Sequence, residues 1–166
     1  PPPPTRGPPL LRETPAGSEP GDPMREVATG DWLQWGDGAG KVRREVFIEE
    51  QRIPKELEWD EHDASAVHAV ARNRLGQVIA TGRLVAEAPG LGRIGRMAVH
   101  RALRGGGHGE AVLRALEAAA AVRGDTEVML HAQRNAESFY RRLGYLPHGK
   151  PFDEAGIGHI EMRRKL

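Results

Sequence analysis

Apolar and polar positions recur with two different periods along most of this chain, and the switches between them lay out its elements. From Lys41 to Gln51, Val42, Val46, Phe47 and Glu50 stand at helical spacing and predict a first helix. Ile53 to Asp63 breaks that pattern with Pro54 and five acids, Glu56, Glu58, Asp60, Glu61 and Asp63, and reads as an acidic loop. Two short strands follow, Ala66 to Asn73 and Val78 to Val85, joined by a hairpin turn at Gly76-Gln77. Gly90 and Gly92 mark another turn before a strand from Arg93 to His100. A helix from Glu110 to Val122 puts Val112, Leu113, Leu116 and Ala120 on one face, carries the i,i+4 pair Glu110 and Arg114, and stops at Gly124. Glu127 to Ala132 alternates as a strand, and Asn135 is placed to cap a short helix, Ala136 to Leu143, that ends at Gly144. Strand character returns around Tyr145 to Leu146 and His159 to Met162. The order β-β-β-α-β-α-β predicts a mixed α/β fold, a central sheet of about five to seven strands flanked by helices, with no internal repeat.

Four glycines fall within six residues between the apolar run Ile94 to Val99 and the helix that begins at Glu110: Arg104-Gly105-Gly106-Gly107-His108-Gly109. Strand, glycine loop, helix is an arrangement that binds a phosphate. Glycines let the backbone approach the anion and take positive φ, and the open N–H groups at the helix start point at it. A triphosphate loop would need Gly-Lys-Ser/Thr, and no lysine follows here. A dinucleotide loop would need Gly-x-Gly-x-x-Gly; counted from Gly105 the last position is Glu110, and from Gly107 it is Val112.

The loop does fit Arg/Gln-x-x-Gly-x-Gly/Ala, read as Arg104, Gly107 and Gly109, and with it the chain resembles the GNAT acetyltransferases, which bind the pyrophosphate of acetyl-CoA with that motif. A second stretch, Asn135-Ala136-Glu137-Ser138-Phe139-Tyr140-Arg141-Arg142-Leu143-Gly144-Tyr145, is similar to the family's Asn-Ala-x-x-Phe-Tyr-x-x-x-Gly-Phe/Tyr helix, one helix and one strand downstream. Val46 to Gln51, Glu58-Trp59-Asp60 and Phe152 to Met162 resemble the ElaA/YjcF-like branch, so that the likeness runs from about Met24 to Leu166.

The resemblance implies a single GNAT domain over residues 24–166 and acetyl-CoA as cosubstrate, with no metal. Its pyrophosphate would lie on Arg104, Gly105, Gly106, Gly107, His108 and Gly109, with His108 supplying its backbone N–H. The pantetheine arm would pair with the backbone of Met97, Ala98 and Val99, and Asn135, Phe139 and Tyr140 would complete the cofactor surface. Read without the resemblance, Met97, Ala98, Val99 and Phe139 are core residues, Asn135 is a helix cap and Tyr140 is a helix tyrosine with a buried ring.

The implied reaction is direct attack by an amine in a ternary complex. The Val99 N–H would face the thioester carbonyl as an oxyanion donor, and the Tyr140 hydroxyl would protonate the leaving thiolate. No Cys and no Gly-x-Ser-x-Gly is present to form an acyl-enzyme. Some family members carry a Glu base at the start of the motif strand, where this chain has Arg93. The base stays open among Glu58, Asp60, Glu61, His131, His159 and an ordered water. The acidic run Glu49 to Asp63 would line the acceptor groove and attract a cationic amine, on a small molecule or a peptide. The cluster Glu58, Asp60, Glu61, His62 and Asp63 has neither His-Glu-x-x-His nor calcium-loop spacing. The competing reading is a non-catalytic acyl-CoA-binding regulatory module on the same fold.

Composition narrows the partners. The 166 residues amount to one domain, and 24 basic against 23 acidic residues give no basic excess for nucleic acid, in spite of Arg141, Arg142, Arg163 and Arg164. The chain has no cysteine and no apolar run near the ~20 residues that span a bilayer. These features fit a cytoplasmic protein without nucleic-acid or membrane partners, with a homodimer left open. Pro1 to Pro23, rich in Pro and Gly, cannot bury enough apolar surface to offset its ordering entropy and reads as a disordered tail or linker.

Overall fold

The computed structural model describes residues 25–166. The expectation of disorder over residues 1–23 falls outside the described residues.

The backbone forms one eight-stranded mixed sheet in the order β1-β2-β3-β4-β5-β8-β6, with β7 also paired to β8. β1 (Glu26–Gly30), β2 (Val67–Arg72), β3 (Val78–Ala88) and β4 (Leu91–Val99) are successive antiparallel neighbours. The β2–β3 hairpin turns where Asn73 Oδ1 accepts from the N–H groups of Leu75 and Gln77, and where Gly76 takes a φ of +81°. β5 (Glu127–Gln133) runs parallel to β4, and β8 (Ile157–Lys165) closes antiparallel on β5. Two short strands, β6 (Leu146–Pro147) and β7 (Phe152–Glu154), finish on β8.

Helices cover both faces. α3 (His108–Val122) buries Val112, Leu113, Leu116 and Ala120 against Ile94, Val128, Leu130 and Met162, the main core. Opposite it, α1 (Trp32–Arg43) continues into a π-helical stretch, Arg44–Glu50, whose Val46 and Phe47 pack with Val42 on Ala98. In that stretch the Gln51 N–H reaches back to the Val46 carbonyl at 3.0 Å, an i to i+5 bond. α2 (Lys55–Glu58) and α4 (Glu137–Arg142) are short.

Several expectations need correction. The sheet has eight strands rather than five to seven, because β1 and β7 are short or half-exposed and carry little apolar pattern. The first helix starts at Trp32, not Lys41, with Asp31 accepting from the Gln34 N–H at 2.9 Å as its cap. Gly36, Gly38 and Gly40 hide it, since glycine is a poor helix former. Packing requires them instead: a Cβ at Gly36 would come within 2.8 Å of Trp32, and one at Gly38 within 2.4 Å of Val78. The acidic loop contains α2 and a 3-10 turn, Glu61–Ala64. Gly92 lies inside β4, and the turn is made at Gly90 with φ +77°. Asn135 does not cap a helix through its side chain: it sits inside a 3-10 turn, Arg134–Ala136, that leads into α4, and neither turn nor helix has a side-chain cap. Among the described residues no helix is long and apolar enough to cross a membrane.

Candidate active site

The site starts from a parting of two strands. β4 and β5 pair only from Leu91↔Glu127 to Ile94↔Leu130. Beyond that point β4 carries one extra residue against β3, since Arg83 faces Gly95 while Thr81 faces Ala98. Arg96 takes φ +52° in this bulge, a backbone region that a non-glycine residue seldom adopts. The Arg96 side chain holds the bulge in place: Nε donates to the Glu58 carbonyl at 3.1 Å, and a terminal nitrogen meets Asp60 at 3.1 Å. The His100 N–H donates to the Ile79 carbonyl on the β3 side at 2.8 Å. Because strand amides alternate, the Val99 N–H faces the other way, into the gap between β4 and β5.

The glycine loop opens at the same end. Gly105 and Gly107 have φ of +87° and +82°, and Gly107 is the N-cap of α3. The N–H groups in the first turn of α3 from Gly109 onward lack acceptors one turn back in the helix and are open to an anion. A Cβ at Gly109 would stand 3.4 Å from Val99 and 3.5 Å from Phe139, so the loop, β4 and α4 converge there. Met97 and Val99 pack toward the α3 core, and Ala98 packs toward α1. The His108 ring is buried beside Arg25, with Nδ1 3.2 Å from its guanidinium. Arg104 is turned toward the π-helical end: its guanidinium is bidentate to Glu50 at 2.7 Å, and Nε donates to the Val99 carbonyl at 3.1 Å. The Arg104 hydrogen bonds to Glu50 hold its carboxyl below its ordinary pKa.

Tyr140 lies in the core with its ring edge-on to Phe139 and Tyr145, 5.0 and 5.8 Å away. Burial pushes its phenol pKa well up, so the hydroxyl stays protonated at neutral pH. Tyr145 is wholly buried, and its hydroxyl donates to Glu117 at 2.6 Å, which anchors the end of this motif.

Three carboxylates of the acidic run are ion-paired. Glu58 accepts from Arg43 at 2.7 Å, Asp63 is bound by Arg43 and Arg83, and Asp60 by Arg83 and Arg96. Hydrogen bonding from Arg83 carries the Asp60 carboxyl far below its usual range. Burial alone would raise Asp63, but Arg43 and Arg83 outweigh it. Three carboxylates thus meet three guanidiniums, and Arg43 is packed over the rings of Trp32 and Trp59 at 5.3 and 5.1 Å. Glu61 is exposed at the rim near His62. Among the described residues no group of three or more His, Asp or Glu is placed to hold a metal ion.

His131 and His159 come together around Phe152. The ring of Phe152 is edge-on to His131 at 4.9 Å and stacked on His159 at 6.0 Å. His159 Nδ1 is 2.7 Å from the Ile157 carbonyl, and His131 Nδ1 is 2.9 Å from Glu154 Oε1. Next to them Gln51, at the end of the π-helical stretch, and Gln133, at the end of β5, exchange side-chain amide bonds of 2.9 and 3.4 Å. Sequence reasoning missed Glu154, Arg96 and the two glutamines as site residues: Arg96 stands on the Val99 strand but only its positive φ and its contacts with Glu58 and Asp60 mark it, and the others are brought in by tertiary contacts.

Comparison with known proteins agrees with this fold. A family model described as "Acetyltransferase (GNAT) domain" matches residues 34–166. The uncharacterized N-acetyltransferase YjcF of Bacillus subtilis is 36% identical over 124 residues, 74% of this chain and 87% of that protein. The structure of an acyl-CoA N-acyltransferase from Pseudomonas aeruginosa superposes with a TM-score of 0.74 at 32% identity, covering 84% of this chain and 99% of that one. Escherichia coli ElaA gives a TM-score of 0.74 at 26% identity over 85% of this chain and 99% of its own.

Proposed function

The chain belongs to the GNAT acetyltransferase family, and from that premise we propose that it moves the acetyl group of acetyl-CoA to an amine by direct attack in a ternary complex. The observation that carries this reading is the parting of β4 from β5 after Ile94 and Leu130, directly above the glycine loop at the start of α3. A gap between parallel strands exposes unpaired backbone that an extended arm can pair with, and the glycine loop at its end offers amides to a diphosphate.

The residues divide the work. Gly105, Gly107 and the first turn of α3 hold the pyrophosphate, and Gly109 keeps the passage between Val99 and Phe139 open. Met97 and Val99 present main-chain groups to the arm, while the Ala98 amide faces β3. The Val99 N–H stabilises the oxyanion that develops on the carbonyl oxygen, an interaction worth about 3 kcal/mol in comparable sites. The Tyr140 hydroxyl, which has no hydrogen-bond partner among the described residues and is kept protonated by burial, donates to the departing sulfur. Positioning of the amine in the gap supplies the remaining acceleration.

A panel of primary amines (amino acids, a lysine peptide, a polyamine and an aminoglycoside), read out as release of free coenzyme A, tests the proposal. Saturable release with at least one amine is expected. Tight acetyl-CoA binding with no release for any amine would favour the non-catalytic acyl-CoA-binding module instead.

A further inference from the structure

His131 is the first residue of β5 beyond the last pair with β4, and so stands at the lip of the gap. Val128, Leu130 and Ala132 of β5 face the α3 core, so alternation sends Met129, His131 and Gln133 to the opposite face, where Gln133 meets Gln51. An amine entering against acetyl-CoA must come from a face that α3 does not fill. His131 is therefore on the acceptor side.

Its ring is oriented by a carboxylate. Nδ1 lies 2.9 Å from Glu154 Oε1 and 3.1 Å from a guanidinium nitrogen of Arg93. One ring nitrogen cannot donate to Glu154 and accept from Arg93 at once. Burial would raise the Glu154 carboxyl, but its hydrogen bond with His131, with help from Arg93, outweighs that and keeps it ionised. An ionised carboxylate only accepts, so the hydrogen sits on Nδ1 and Nε2 keeps its lone pair. Nε2 has no hydrogen-bond partner among the described residues. The charged neighbours are Arg93 on β4, itself 3.9 Å from Glu87 of β3, Glu154 on β7, and His159 and Glu161 on β8, Glu161 being bound to Arg163 at 2.7 Å.

The other candidates are less well placed. Glu58 is buried and committed to Arg43, and Asp60 to Arg83 and Arg96. His159 has a neutral carbonyl rather than a carboxylate on Nδ1.

We infer that His131 is the proton acceptor for the attacking amine and that Glu154 is its positioning residue, a reading that rests on the acetyl-transfer function above. The bond formed is amine nitrogen to carbonyl carbon, and the bond broken is carbon to sulfur. Of the two protons that an ammonium gives up, one leaves through Nε2 to solvent. The other returns, by way of solvent, to Tyr140 and replaces the proton that its hydroxyl passes to the sulfur. Glu154 stabilises the imidazolium in between, as a carboxylate behind a histidine does generally.

The test uses the full chain and the amine with fastest coenzyme A release in the panel. His131→Gln should lower kcat/KM by about 10²–10⁴-fold and erase the acid limb of the pH profile. Glu154→Gln should lower kcat and move that limb to lower pH, because the imidazolium loses its counter-charge, while acetyl-CoA affinity stays as in the wild type. Turnover and an acid limb that survive His131→Gln would overturn this inference alone. A wild type with no turnover would overturn the acetyl-transfer reading and this inference with it. Nitrogen-15 NMR of the wild-type imidazoles supplies a measurement that needs no variant and no acceptor: a proton on Nδ1 of His131 is expected, and a proton on Nε2 would refute the assignment.

Discussion

At the scale of single residues the account depends on a hydroxyl and two glycines. Tyr140→Phe should bind acetyl-CoA as the wild type does and lose about 10²–10⁴-fold in turnover, measured by calorimetry and coenzyme A release on one preparation. Unchanged turnover would remove Tyr140 from the chemistry. Gly107→Ala places a Cβ at φ +82°, which costs about 1–2 kcal/mol of backbone strain. It should weaken acetyl-CoA binding more than Gly106→Ala, where φ is not positive and the added Cβ meets the His108 ring at 2.9 Å and the Leu103 carbonyl at 3.4 Å. These residues were legible in the sequence because glycine spacing and a helix motif are local signals. Glu154 was not: it meets His131 across 23 positions, through a hairpin whose pairing only the fold defines.

At the scale of elements, α1, α2, β3 and β4 are tied by the ion network of Arg43, Glu58, Asp60, Asp63, Arg83 and Arg96. Removing one member leaves an uncompensated buried charge, so Asp63→Asn should cost about 3–5 kcal/mol in urea unfolding. The same change should disturb the β4 bulge, since Arg96 and Arg83 share Asp60. A loss of stability no larger than that of an exposed acid, such as Glu61→Gln, would show that the network carries no such load. Most elements were readable to within a few residues, since α3, β2, β3, β4 and β5 have strong periodicity. The start of α1 was not, because its three glycines answer to Trp32, Trp59 and Val78 rather than to helix propensity. The acidic run was legible as charge but not as a set of ion pairs, because the arginines that neutralise it come from three other elements.

At the scale of the whole molecule the same groups set a pH dependence. Asp60 and Asp63 are held below their ordinary range by Arg83 and Arg43, and burial lowers His68 below the ordinary histidine value. A group whose folded pKa is depressed adds stability that is complete above its unfolded pKa and is lost as pH falls. His68 therefore begins to destabilise the fold below about pH 6.5, and the two aspartates below about pH 4. The thermal midpoint should fall in two stages as pH drops from 7 toward 3, and His68→Gln should flatten the upper stage. A midpoint that rises on acidification would contradict the assignment of these groups. The bulge in β4 and the short parallel pairing of β4 with β5 open the gap between these strands.

The most direct measurement is titration calorimetry of acetyl-CoA into the intact chain, with Gly107→Ala alongside. The account predicts saturable one-to-one binding by the wild type, clearly weakened in the variant. The absence of any binding by the folded wild type, or equal binding by both proteins, would contradict the claim that the parted strands and the glycine-capped helix form the acetyl-CoA site.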